Sequence, residues 1–247
     1  MNRVTKGILM RVSFRLSLLQ STWFEGGMQS IGLAYCLIPG LRMLYPDQEE
    51  MQKAIQRYAQ PFNTHPFLVG FIAGALLKME EQRQDPRDIT CFSANTMGVM
   101  AAFGDPFFRS AMPSFVALAA CLAAILGGTA AGIITLLLLF NGVHMAIRFG
   151  GVAIGYKEGC DVVMRVGRWF SPEHTRWIKI VAAVFGGVVL VAVAVTFSVS
   201  ATGNRGLALL AAAGCMAGGI ALTRWINLQH YAIPLVIFLL VMIEVAI

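Results

Sequence analysis

Between Arg109 and Arg148 this chain of 247 residues carries no aspartate, glutamate, lysine or arginine. A charge-free stretch of that length fits only a large apolar core or lipid, and about 20 apolar residues let one helix cross a bilayer. The pattern recurs at 180–199, between Arg205 and Arg224, and between Arg224 and Glu244. The first stretch has room for two helices, broken at Gly127-Gly128. One such run could be the core helix of a soluble protein. Four in one chain predict an all-α integral membrane protein with several transmembrane helices. Only 13% of the residues are charged, about half the share of an average soluble domain.

The net charge of +6 does not point to nucleic acid. Basic residues gather near the N-terminus (Arg3, Lys6, Arg11, Arg15) and between apolar runs (Lys157, Arg165, Arg168, Arg176, Lys179). That is the placement of cytoplasmic segments facing lipid headgroups. Trp169, Trp177, Trp225 and Tyr231 stand at the edges of apolar runs, as interfacial aromatics do. The five cysteines, Cys215 among them, show no metal-ligand spacing, so neither a metal site nor a disulfide framework is expected. No Walker loop, HExxH or paired carboxylate signature occurs, and no catalytic residue or cofactor is predicted.

The N-terminal part has a different texture. Leu9, Val12, Leu16 and Leu19 share one helical face with arginines elsewhere around the axis, which predicts an amphipathic helix on the membrane or against a partner. Lys6, Arg11 and Arg15 interrupt any signal-peptide apolar region. Residues 46–60 predict a surface helix marked by Met51, Ile55 and Tyr58. Next, the quartet Asn63-Thr64-His65-Pro66 heads an apolar run, 67–77, that reaches roughly 17 Å as a helix against about 30 Å of hydrocarbon. A second short apolar segment, 96–103, ends in Gly104-Asp105-Pro106, which reads as a turn signal. Half-length helices with polar heads predict re-entrant elements, the kind from which transporters build substrate sites. The expected division is a re-entrant, substrate-handling region at 1–110 and a transmembrane region at 111–247 with a polar loop at 156–179.

Candidate ligand residues follow from this organisation. Asn63, Thr64 and His65 can donate and accept hydrogen bonds, and so serve equally to cap a helix or to hold a neutral polyhydroxy ligand. Asp105 is an ionisable group near membrane depth, costly unless it functions or sits at an interfacial turn. Glu25 and Gln29 are four apart and predict a shared helical face, with Gln20 about one turn earlier. Asn141, His144 and Arg148 form another face, on which Arg148 could simply extend to the interface.

At these residues the chain resembles a family. Ser17-Leu18-Leu19-Gln20, Trp23, Met28-Gln29 and Gly32 are similar to the opening of the IID membrane subunit of mannose-family sugar phosphotransferase systems. Asn63-Thr64-His65-Pro66, preceded by Phe62, resembles that family's Asn-Thr-His-Pro motif. Gly104-Asp105, then Asn141, His144, Arg148, Gly155-Tyr156 and Gly159, follow in the family's order. The resemblance covers 11–159. It departs where the family reads Trp-Asn-Tyr-Glu-Arg-Met-Gln and this chain has Trp23-Phe24-Glu25-Gly26-Gly27-Met28-Gln29.

The resemblance implies a non-catalytic subunit that forms a hexose or amino-hexose pathway with a IIC membrane subunit. Soluble IIA and IIB carriers would supply the phosphate, and His65 would contact sugar or cap a helix. It further implies an elevator-type transporter assembled as a trimer of IIC–IID pairs, multi-pass in the cytoplasmic (inner) membrane of a bacterium. Two alternatives stay open on the residues: a non-transporting regulatory subunit of the same fold, and an ion-coupled secondary transporter.

Overall fold

Thr5 opens the first helix, its hydroxyl accepting a hydrogen bond from the Ile8 amide. This helix, α1 (Lys6–Arg15), runs on as a 3-10 turn over Leu16–Thr22. Leu9, Val12, Leu16 and Leu19 are all buried, while Arg11 is exposed. The computed structural model describes residues 4–202; the apolar stretches beyond Arg205, with Cys215, Trp225 and Tyr231, lie outside the described residues.

Helix α2 (Ser30–Leu44) packs on the 3-10 turn so closely that a Cβ at Gly32 would stand 2.1 Å from the Leu19 carbonyl oxygen. Asp47 caps α3 (Gln48–Arg57), accepting from the Glu50 amide, with Glu49 and Glu50 in the first turn opposite the positive end of the helix dipole. Then comes α4 (Val69–Glu81), whose residues 69–77 are buried throughout. Its neighbour is the C-terminal half of α7 (Thr129–Glu158), and glycines on both helices make the crossing. A Cβ at Gly74 would lie 2.2 Å from the Val152 oxygen, and one at Gly155 would lie 2.1 Å from the Phe71 oxygen. Gly70 and Gly151 flank the same crossing, so each helix offers two glycines four residues apart.

Two expectations are corrected here. Residues 24–28 are not helical, so Glu25 and Gln29 share no helical face. Phe24 and Met28 exchange backbone hydrogen bonds across a tight turn, Met28 has φ +55°, and Met28 also bridges to Phe62. Gly26-Gly27 favours this turn, since a Cβ at Gly27 would meet the Phe24 ring at 2.2 Å. The segment 96–103 does not end in a turn at Gly104-Asp105-Pro106 either. It lies within α5 (Pro86–Pro106), and a π-helical turn, Phe107–Ala111, continues directly into α6 (Met112–Gly127). Pro106 has no N–H for the α-helical ladder, and the wider turn absorbs the disruption: the Met112 amide donates to Phe107, five residues back.

α6 stops at Gly128 (φ +84°), and α7 begins at Thr129. The polar stretch 156–179 holds a 3-10 turn (Gly159–Asp161), α8 (Val162–Trp169) and the start of α9 (Pro172–Thr202). Two stretches, Pro86–Gly127 and Thr129–Val193, are long and apolar enough to cross a membrane.

The chain forms two compact units. One comprises Met1–Asp105 and Val143–Ser171; its centre is α4, surrounded by α2, α3, α8 and the second half of α7. The other comprises Pro106–Gly142 and the chain from Pro172 onward. There α6 pairs with α9 through Ala117, Cys121 and Val189, with Phe115 stacked on Phe185 at 5.6 Å.

Candidate functional site

The quartet sits just before the N-terminal end of α4, in irregular backbone that Gln29 holds from the side. Gln29 is 2% exposed. Its backbone amide donates to the Phe62 carbonyl at 2.8 Å, and its side-chain NH2 donates to the Thr64 carbonyl at 2.9 Å. Its side-chain oxygen accepts from the Thr64 amide at 3.0 Å. The turn at 24–28 therefore docks directly on the quartet. Gln29 spends its side-chain amide on the Thr64 backbone and so positions the quartet.

Past this clamp the backbone curls into the helix. The His65 carbonyl accepts from the Leu68 and Val69 amides, and its imidazole Nδ1 accepts from the Phe67 amide at 3.3 Å. No side chain caps α4 at Leu68 itself. An accepting Nδ1 places the proton of a neutral imidazole on Nε2, and Nε2 lies 4.0 Å from the Asp105 carboxylate. The His65 side chain is 5% exposed and that of Asp105 is 47% exposed. A hydroxyl oxygen set beside both can accept from Nε2–H and donate to Asp105. Gly104 makes the approach possible: a Cβ there would fall 2.5 Å from His65 Cγ.

Phe67 carries the cluster onward. Its ring meets His65 edge-on at 5.2 Å and stacks on His144 at 4.3 Å, with the Arg148 guanidinium 5.6 Å from its centroid. Thr64 Oγ1 is buried and has no hydrogen-bond partner among the described residues. Thus Thr64, His65, Asp105, His144, Arg148 and the positioning Gln29 converge within a single unit. The other candidates lie at the edge of this cluster or outside it. Asn63 is exposed, Glu25 is exposed on its turn, and Gln20 is exposed on the 3-10 turn. Asn141 is exposed, returns its side-chain NH2 to the Leu137 carbonyl, and belongs to the other unit.

Sequence reasoning missed Gly104 as the surface against which His65 packs, and Phe67 as the link to His144. It also passed over Glu80, at the far end of α4. That carboxylate is fully buried, with Arg57 on both oxygens at 2.7 and 2.8 Å and hydroxyl donors from Tyr45 and Tyr58. The available signal was a carboxylate directly after an apolar run; its Tyr and Arg partners lie 22 to 35 residues away in sequence, so the grouping itself was hidden.

A family model described as the PTS system mannose/fructose/sorbose family IID component matches residues 3–245. The chain belongs to that family. The mannose-specific EIID component of Escherichia coli (strain K12) is 36% identical over 185 residues, 72% of this chain and 65% of that protein. The fructose permease IID component of Bacillus subtilis (strain 168) is 31% identical over 167 residues, 65% of this chain and 60% of that protein. The chain thus spans less than two thirds of the length of these curated relatives. Among solved structures, the mannose transporter ManYZ in complex with microcin E492 is similar, with a TM-score of 0.60 and 32% identity over 77% of this chain and 71% of that one. Membership of this membrane family agrees with the two long apolar stretches.

Proposed function

We propose that the chain is the sugar-translocating IID subunit of a mannose-family phosphotransferase complex and shares the hexose pathway with a IIC subunit. The observation that carries this reading is the cluster at the head of α4, buried His65 against half-exposed Asp105 with Gln29 fixing the backbone, in a chain of the IID family. A neutral sugar needs paired donors and acceptors in a dry site. His65 Nε2–H, the half-exposed Asp105 carboxylate and the Arg148 guanidinium offer both kinds. His144 is a further contact, Thr64 supports the site from beneath, and Asn63 lies at its exposed edge. Glu25, Gln20 and Asn141 fall outside it.

Every convergent group belongs to one compact unit. That supports an elevator-type mechanism, in which the substrate travels with a single body, and a re-entrant role for the short α4. The complex would be a trimer of IIC–IID pairs in a bacterial inner membrane, crossed more than once by this chain. IIA and IIB would carry the phosphate, and phosphorylation at the exit would make entry one-way. No phosphoryl transfer would occur on this chain.

The test is phosphate-dependent uptake of mannose, fructose and sorbose by cells co-expressing the chain with its IIC neighbour. His65→Ala and Asp105→Asn should each cut uptake at least tenfold while the complex still purifies. Uptake unaffected by both substitutions would refute the site, and an intact complex that moves no hexose would refute the function.

A further inference from the structure

A second concave surface lies between α1 and α2. It is a cavity of about 690 Å³, inside the range of roughly 300–1,000 Å³ typical of small-ligand sites. Its wall combines two chemistries: Ile8, Ile38 and Pro39 are apolar, whereas Arg11, Arg15 and Arg42 bring three guanidinium groups. No acidic residue lines it, and among the described residues none of the three arginines pairs with a carboxylate. Arg15 is held in place, donating to the Tyr35 carbonyl at 3.0 Å with its guanidinium 4.5 Å from the Tyr35 ring centroid. Three close, uncompensated cations repel one another and gain most from an anion set among them.

The surroundings say which kind of anion. Met10, Phe14 and Leu18, four residues apart along α1 and its 3-10 extension, are exposed on the side next to the arginines. On α2, Ile31, Tyr35 and Met43 are exposed as well. A free phosphate would use the guanidiniums and leave this apolar surface wet. A phospholipid uses both, with the phosphate among the arginines and the chains along the strip.

We propose that the α1–α2 cavity is a binding site for an anionic phospholipid headgroup, read by Arg11, Arg15 and Arg42. The full-length chain in neutral detergent micelles is titrated with phosphatidylglycerol or phosphatidylcholine, and bound lipid is counted by native mass spectrometry. Phosphatidylglycerol should bind at least tenfold more tightly. At roughly fivefold per charge, replacing all three arginines by glutamine should weaken it on the order of 100-fold. Arg87→Gln, an equal charge loss at an exposed position elsewhere, should leave binding unchanged. Should the triple variant not fold, Arg42→Gln alone, at an exposed position, should cost roughly fivefold. Equal affinity for the two lipids overturns the proposal, as does unaltered binding in the arginine variants. Saturation by inorganic phosphate without preference between the lipids would mark a free-anion site instead. Retention of a phosphorylated peptide, but not of lipid, would mark a protein-docking surface, and either result rejects the lipid assignment.

Discussion

Replacing Gln29 tests whether the quartet is held from the side, as the hydrogen bonds describe. Gln29→Ala removes both side-chain bonds to Thr64 and leaves that residue's N–H and C=O without partners in a buried setting. Each orphaned group costs about 1–3 kcal/mol, so the loss is about 2–6 kcal/mol against a typical total of about 5–15 kcal/mol. The thermal midpoint of the purified chain in detergent should fall on the order of 10 °C. Sugar uptake should fall with it, because His65 is the next residue.

Gln29→Glu sharpens the test. A protonated carboxyl offers the one donor and the one acceptor that these two bonds use, and can restore both. The anion cannot donate to the Thr64 carbonyl and faces it unfavourably. Burial and that carbonyl raise the introduced carboxyl's folded-state pKa above the ordinary value of about 4.3. Its stabilising form is therefore present at low pH and lost as pH rises through the raised value. Scanning fluorimetry should show a smaller deficit from wild type at pH 5 than at pH 8. An alanine variant that melts within about 2 °C of wild type, or a glutamate variant with equal deficits at both pH values, refutes the clamp.

Other substitutions probe the remaining contacts. Gly104→Ala gains about 1 kcal/mol of helix propensity but drives a methyl against His65, so uptake should drop severalfold; Gly98→Ala, on the same helix with nothing within 4 Å, should raise the melting midpoint and leave uptake intact. Gly74→Ala and Gly155→Ala each press a methyl onto the facing helix's backbone, and each should reduce the yield of folded protein by size-exclusion chromatography, since backbone cannot step aside as a side chain can. Glu80→Gln leaves the largely buried Arg57 without its counter-charge, a loss of up to about 3–5 kcal/mol visible as a lowered melting midpoint. Burial first, and the Glu80 charge second, push the Tyr58 hydroxyl well above its usual range, so its contribution is whole below about pH 10 and is lost as pH climbs beyond it; Tyr58→Phe should lower the midpoint at pH 8 and flatten its fall between about pH 9 and 11, one unit either side of the ordinary tyrosine value.

What the sequence revealed, and what it hid, divides along local and distant interactions. The charge-free run after Arg109 yields two helices broken at Gly127-Gly128, because chain length and a positive-φ glycine are local properties. Residues 46–60 yield α3 for the same reason, with Asp47 as its cap. The turn at 24–28 was hidden, since its local Phe24–Met28 bonds are joined by bonds to the distant Phe62, whose amide donates to the Gly27 carbonyl and whose carbonyl accepts from the Gln29 amide. Gly104-Asp105-Pro106 misled because the tripeptide favours a turn in isolation, while the apolar residues beyond it sustain a helix through a π-helical turn. At the site, the residue types were legible but the grouping was not. Asp105 joins His65 and Glu25 does not, and only the fold decides that.

Both ends of α4 are fastened. Gln29 fixes the backbone leading into it, and glycines press its middle against α7. Its last turn is tied down by Glu80, with Arg57, Tyr45 and Tyr58, and by Glu81, with Lys78, Tyr156 and the Val4 amide. A helix held this way presents His65 with little freedom, so little ordering cost falls on ligand binding. On the proposed function, preference among sugars would then arise from neighbours that retain latitude. Asp105 is half-exposed, and His144 and Arg148 reach the site from α7 across the Phe67 ring. Substitutions along α4 should therefore act through folding and alter uptake of all sugars together, while conservative changes at Asp105, His144 or Arg148 should shift the ratio between sugars. If a folded α4 variant changed that ratio and the Asp105 variants did not, the rigid-presentation argument would fail.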